Sequence, residues 1–117
     1  MMTLDEFQPL MEAFWDRLDQ EADQSKDSQL ALNQLQSTYA SLDLGEQELA
    51  QQVLSAWVES GDSHRRFAAL AMIDRLGLRS ALPALRRLGE VYEHSEGPSA
   101  PYDWAKVNRI IGRLTET

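Results

Sequence analysis

Apolar residues recur along this chain at intervals of three and four, the period of an amphipathic helix, in six successive blocks. In the first, Thr3 and Glu6 have the spacing of a capping box, and Leu4, Phe7, Leu10, Met11, Phe14, Trp15 and Leu18 follow at helical intervals, which predicts a helix to about Ala22. The polar stretch 21–28 reads as a link, with Asp27 or Ser28 placed to cap a second helix carrying Leu30, Leu35, Tyr39 and Leu42. Asp43 and Glu46 repeat the capping-box spacing ahead of Leu49, Val53, Leu54, Trp57 and Val58, a third helix that stops before Gly61. Asp62 or Ser63 caps a fourth, in which Phe67, Leu70, Ala71, Ile73 and Leu76 face inward and Gly77 suits the left-handed residue that ends it. Ser80 is placed to cap a fifth, with Leu82, Leu85, Leu88 and Tyr92, where Pro83 is tolerated because it falls in the first turn; this helix ends near His94. Gly97, Pro98 and Pro101 mark a loop over 95–101, and Asp103 is the expected cap of a sixth helix that sets Trp104, Val107, Ile110, Ile111 and Leu114 on one face. No segment alternates as a strand would, so the predicted fold is all-α, with short connections making neighbouring helices antiparallel pairs.

Length and composition narrow the class. At 117 residues the chain is expected to form one domain over 1–117, and 43% hydrophobic with 26% charged residues is a globular balance. The absence of cysteine removes disulfide frameworks, thiolate metal sites and a cysteine nucleophile. The longest fully apolar run, 67–73, is far below the roughly 18 residues of a membrane helix, so no membrane partner is expected. Acidic residues early in the chain stand where an export signal would be basic and then apolar, which points to the cytoplasm. Charge is distributed unevenly: 13 acids oppose Arg17 and Lys26 over residues 1–62, net −11, whereas residues 63–117 are net +3 with eight arginines.

Catalytic chemistry finds no anchor. His64 and His94 stand thirty residues apart without metal-ligand spacing, and no phosphate-loop, dinucleotide, nucleophile-elbow or zinc-protease pattern occurs, so neither an enzyme nor a cofactor is expected. The acids have more to say. Glu12, Asp16, Asp19 and Asp23 recur at intervals of four, three and four, which sets them on one helix face with no basic residue four positions on. Glu48 and Glu59 extend an outward polar face on the third helix. Such a face is either solvated surface or a contact for a cationic partner. The arginines at 65, 66, 75, 79, 86, 87, 109 and 113 could form a nucleic-acid stripe, but the acidic half opposes phosphate, and at least two of Phe67, Tyr92, Tyr102 and Trp104 read as core residues. Pairing with Asp74, Glu90, Glu93 or the acidic half is the expectation for them, and direct nucleic-acid binding is not. Tyr102 and Trp104 read either as anchors of the last helix or as interface residues.

The stretch DSHRRFAALAMIDRLGLRSALPALRRL, residues 62–88, resembles a HEAT-like helical repeat. Asp62, Arg66, Ala69, Leu76, Gly77, Ala81, Pro83 and Leu85 match that family's polar start, basic residue, small helix face, Leu-Gly turn and Ala-x-Pro-x-Leu helix start over about a quarter of the chain. The resemblance implies a right-handed HEAT-like stack and a binding surface as its use. In size, charge and the segment PYDWAKVNRIIGRL, residues 101–114, the chain also resembles bacterial immunity proteins of polymorphic or contact-dependent toxin systems. That implies a cognate toxin with a basic surface as partner, met by Glu12, Asp16, Asp19, Asp23, Glu48 and Glu59 with Tyr102 and Trp104; the alternative is a scaffold or adaptor that binds a peptide or a partner helix.

Overall fold

The computed structural model describes residues 2–25 and 28–116. Among them lie six α-helices and one short 3-10 turn, with no strand: α1 (Leu4–Ser25), α2 (Ser28–Ser41), α3 (Leu44–Val58), α4 (Ser63–Leu76), the turn Arg79–Ala81, α5 (Leu82–Glu93) and α6 (Ala100–Thr115). The all-α reading of the sequence is what the molecule has. Its chain divides into two compact units, 1–53 and 54–117, with the division falling inside α3.

In the first unit the capping boxes form as their spacing dictates. The Glu6 N–H donates to Thr3 Oγ1 while the Thr3 hydroxyl donates to Glu6 Oε1, and Asp43 and Glu46 exchange the corresponding backbone bonds at the start of α3. α1 runs past the expected stop at Ala22 to Ser25, and it carries Pro9 in its sixth position at the cost of one backbone hydrogen bond. Phe7, Met11, Trp15, Leu18 and Ala22 form its buried stripe, and Leu10, at 60% exposure, lies outside it. The expected cap at Asp27 lies outside the described residues. On α2 the buried stripe is Ala31, Leu32 and Leu35; Leu30, expected within it, is 45% exposed, because it stands on the opposite side of the helix from Leu35. α2 is tied to α3 through Tyr39, whose carbonyl accepts from Gln47 Nε2 at 3.2 Å and whose hydroxyl accepts from Gln51 Nε2 at 2.9 Å.

In the second unit Asp62 caps α4, its carboxylate accepting from the N–H groups of His64 and Arg65 at 3.0 and 3.1 Å. At the other end Gly77 takes φ 65°, and the N–H groups of Gly77 and Leu78 both donate to the Ile73 carbonyl, closing the helix end. The expected Ser80 cap is replaced by the turn Arg79–Ala81, which leads directly into α5 with Pro83 in its first turn and no side-chain cap. α6 likewise starts three residues before the expected Asp103 cap. Ala100 and Pro101 begin it, since a proline in the first turn gives up only a donor that has no helical partner. α5 packs along α6, where a Cβ at Gly89 would meet the side chains of Val107 and Asn108 at an ordinary contact distance of 3.9 Å. α4 also meets α6: Lys106 sits 5.5 Å over the Phe67 ring, and Arg113 binds Asp74 at 2.7 Å. Both pairs are separated by 39 positions and stand two turns apart, so α4 and α6 run parallel.

Arg66 closes the α3–α4 connection. Its guanidinium donates to the carbonyls of Val58 and Ser60, at and just beyond the end of α3, and to the Tyr92 hydroxyl on α5 at 3.3 Å. One side chain thereby joins three segments. The remaining positions that carry the repeat resemblance also have structural work: Ala69, Ala81 and Leu85 are buried, and Gly77 is the only glycine at positive φ among the described residues.

Candidate protein-binding surface

Charge separates between the two units. Residues 1–53 hold 11 acids and two bases, net −9, while residues 54–117 hold eight acids and nine bases, net +1. Pairing within the first unit can neutralise at most two of its carboxylates, so that unit, counted by itself, carries a strong negative excess.

Glu12, Asp16, Asp19 and Asp23 share one face of α1, as their spacing requires. Asp16 and Asp23 are exposed, and Glu12 and Asp19 are half-buried at the edge of the core stripe. Glu48 is exposed on α3. Glu59 does not belong with them. It lies one residue beyond the end of α3, in the second unit, and Arg87 binds both of its oxygens, with Nη2 3.2 Å from Oε2. The Arg87 hydrogen bond holds the Glu59 carboxyl below its ordinary value, slight burial works against this, and the Arg87 charge reinforces it; the same bond raises Arg87. Glu59 is exposed, as its outward reading expects, and it has a guanidinium partner in Arg87, as Asp74 has in Arg113.

A second feature of the first unit carried no signal in the apolar periodicity. A groove of about 530 Å³ runs between α1 and α2. Phe14, Arg17, Leu18 and Glu21 form one wall, with the Arg17 guanidinium 5.3 Å over the Phe14 ring, and Asn33, Gln34, Ser37 and Thr38 form the other. By helical spacing this groove face of α1 is on the far side of the helix from the acidic stripe, so the two surfaces are distinct. The available signal was composition: α2 has no charged residue in 14 positions, in a chain where 26% of residues are charged.

On the second unit the aromatic residues are more open than their spacing predicted. Phe67 is 41% exposed, Trp104 42% and Tyr102 75%, and Tyr92 is half-buried, so none of the four is a core residue. The core of this unit is completed instead by Val107, Ile110 and Leu114 against Leu70, Ile73, Leu85 and Leu88. A smaller cleft of about 240 Å³ opens beside Phe67 and Tyr92, with Arg66, Asp103 and Lys106 in its walls. Among the described residues no group of three His, Asp or Glu side chains is arranged to hold a metal, and no helix is long and apolar enough to cross a membrane. Comparison with protein-family models, with curated proteins and with solved structures returns no match to this chain.

Proposed function

We propose that this chain is a protein-binding module whose acidic amino-terminal unit captures a basic protein, in the manner of an immunity protein that neutralises a cognate toxin of the nuclease type. The observation that supports this reading is the segregation of charge: a net −9 over 53 residues, beside a second unit that is nearly neutral. A field of that kind raises the encounter rate with a positively charged partner and penalises acidic ones, and a nuclease presents positive charge because its substrate is anionic. The α1 stripe concentrates part of the field on one face, so Asp16, Asp19 and Asp23 are the residues assigned to steering.

The test begins with the protein that co-purifies from the native host, then measures its association rate with purified chain at several salt concentrations. The variant Asp16→Ser/Asp19→Ser/Asp23→Ser is expected to slow association and flatten its salt dependence, leaving dissociation less affected. An association rate equal to that of the unmodified chain refutes the steering role. A second reading, a scaffold that binds a peptide through the other unit, is favoured by the exposure of Tyr102 and Trp104; under it, Tyr102→Ala and Trp104→Ala weaken binding and the carboxylates are inert.

A further inference from the structure

We propose that the cleft beside Phe67 and Tyr92 in the second unit binds a free aliphatic α-amino acid in its zwitterionic form. The inference is independent of the acidic unit and of any protein partner. Three helices build the cleft: α4 supplies Arg66 and Leu70, α5 supplies Tyr92, and α6 supplies Asp103, Lys106 and Val107. Arg66, Lys106 and Asp103 are all half-buried, so their charges are partly withdrawn from water. Each has capacity left for a ligand. Among the described residues neither the Lys106 ammonium nor the Asp103 carboxylate enters an ion pair, and Lys106 stands 5.5 Å over the Phe67 ring instead. The guanidinium of Arg66 spends Nε and one N–H of each Nη on the Val58 and Ser60 carbonyls and the Tyr92 hydroxyl, which leaves the other N–H of each Nη. Tyr92 accepts from Arg66 at 3.3 Å and keeps its own proton to donate.

These groups sort into two sets. Arg66, Lys106 and the Tyr92 hydroxyl are donors suited to a carboxylate, whereas Asp103 accepts and suits an ammonium. A ligand with a carboxylate alone would set like charge against Asp103, and one with an ammonium alone would meet two cations. Only a molecule that carries both answers every charged group in the walls. Its remainder must be apolar, because Leu70 and Val107, 5% and 1% exposed, line the cleft with nothing but hydrocarbon. Size narrows the choice further. At the roughly 30 Å³ that a water molecule takes, about 240 Å³ is room for about eight non-hydrogen atoms, the size of valine or leucine. A chain terminus offers one of the two charges and not the other on its end residue, so a free amino acid is the match and a peptide end is not.

The test titrates the full chain with L-leucine and with three probes that each lack one of its groups: isocaproate, without the ammonium; isoamylamine, without the carboxylate; and glycine, without the side chain. Calorimetry is expected to give L-leucine a Kd below about 1 mM and each other probe a Kd at least about tenfold higher. Backbone amide NMR is expected to place the shifts at Phe67, Leu70, Asp103 and Lys106. Asp103→Asn is expected to weaken L-leucine at least about tenfold without weakening isocaproate, and Lys106→Met to weaken both. Asp103→Ser and Lys106→Gln replace these variants should circular dichroism show a disturbed fold. Absence of heat and of shifts with L-leucine at about 10 mM, shifts away from the cleft, or variants that bind L-leucine unchanged each overturn the assignment. Isocaproate as tight as L-leucine would reassign the cleft to a lone carboxylate, such as a chain's carboxy-terminus, isoamylamine as tight would reassign it to a cation, and glycine as tight would remove the apolar lining from recognition; each of these also overturns it.

Discussion

Arg66 gives the sharpest energetic test of the second unit. Replacing it with methionine keeps the aliphatic stem and removes three donors: Nε to the Val58 carbonyl at 3.2 Å, Nη1 to the Tyr92 hydroxyl at 3.3 Å, and Nη2 to the Ser60 carbonyl. A hydrogen bond from a charged donor contributes about 1.5–3 kcal/mol when well buried. Here the side chain is half-buried and two of the bonds are long, so about 1 kcal/mol each is the appropriate scale. The summed loss is then about 2–3 kcal/mol. With an unfolding entropy of about 2.1 cal/mol/K per residue over 117 residues, this lowers Tm by about 8–12 °C. Urea unfolding read by circular dichroism and by tryptophan fluorescence, to which Trp57, only 2% exposed and one residue from the Val58 acceptor, contributes alongside Trp15 and Trp104, measures it. Arg66→Lys can reach one acceptor at a time and is expected to fall between the two. A loss below about 0.5 kcal/mol for Arg66→Met, or full rescue by lysine, would show that the three-way bond network contributes no more than a charge near a helix end.

Other outcomes follow from single sites. Gly77→Ala forces a side chain into φ 65° with open space around the new Cβ, so it costs about 1 kcal/mol through the backbone alone; Gly112→Ala, in helical backbone with equally open space, gains about 0.5–1 kcal/mol, and paired denaturation curves distinguish the two. Pro9→Ala restores a helix donor at an exposed position and is expected to stabilise the chain by about 1–3 kcal/mol, less the entropy returned to the unfolded state; an unchanged denaturation midpoint would show that the helix already tolerates the ring without loss. Because Arg87 lowers the folded-state pKa of Glu59, the pair stabilises above the ordinary carboxylate value of 4.5 and this contribution is lost as pH falls through the lowered value. Glu59→Gln should therefore remove part of the acid-side slope of stability and leave behaviour at pH 6–8 with no slope of its own; an acid limb identical to that of the unmodified chain would refute the pairing.

The sequence by itself determined what depends on neighbours three to five positions away. The capping boxes at Thr3 and Asp43, the Asp62 cap, the left-handed Gly77 and the existence of six helices were all legible, because each is decided by side-chain and backbone contacts within one turn of the same helix. The common face of Glu12, Asp16, Asp19 and Asp23 was legible for the same reason, since helical geometry alone sets it. Tertiary structure decided the rest. Leu10, Phe67 and Trp104 satisfy the apolar period yet lie 41% to 60% exposed, because burial depends on which neighbouring helix covers a face and how far it extends, and no local pattern encodes that. Glu59 and Arg87, 28 positions apart, and Asp74 and Arg113, 39 apart, meet only because α4, α5 and α6 bring them together. The groove between α1 and α2 exists for the same physical reason: it is a property of two helix faces held side by side, and neither face alone forms a concave surface.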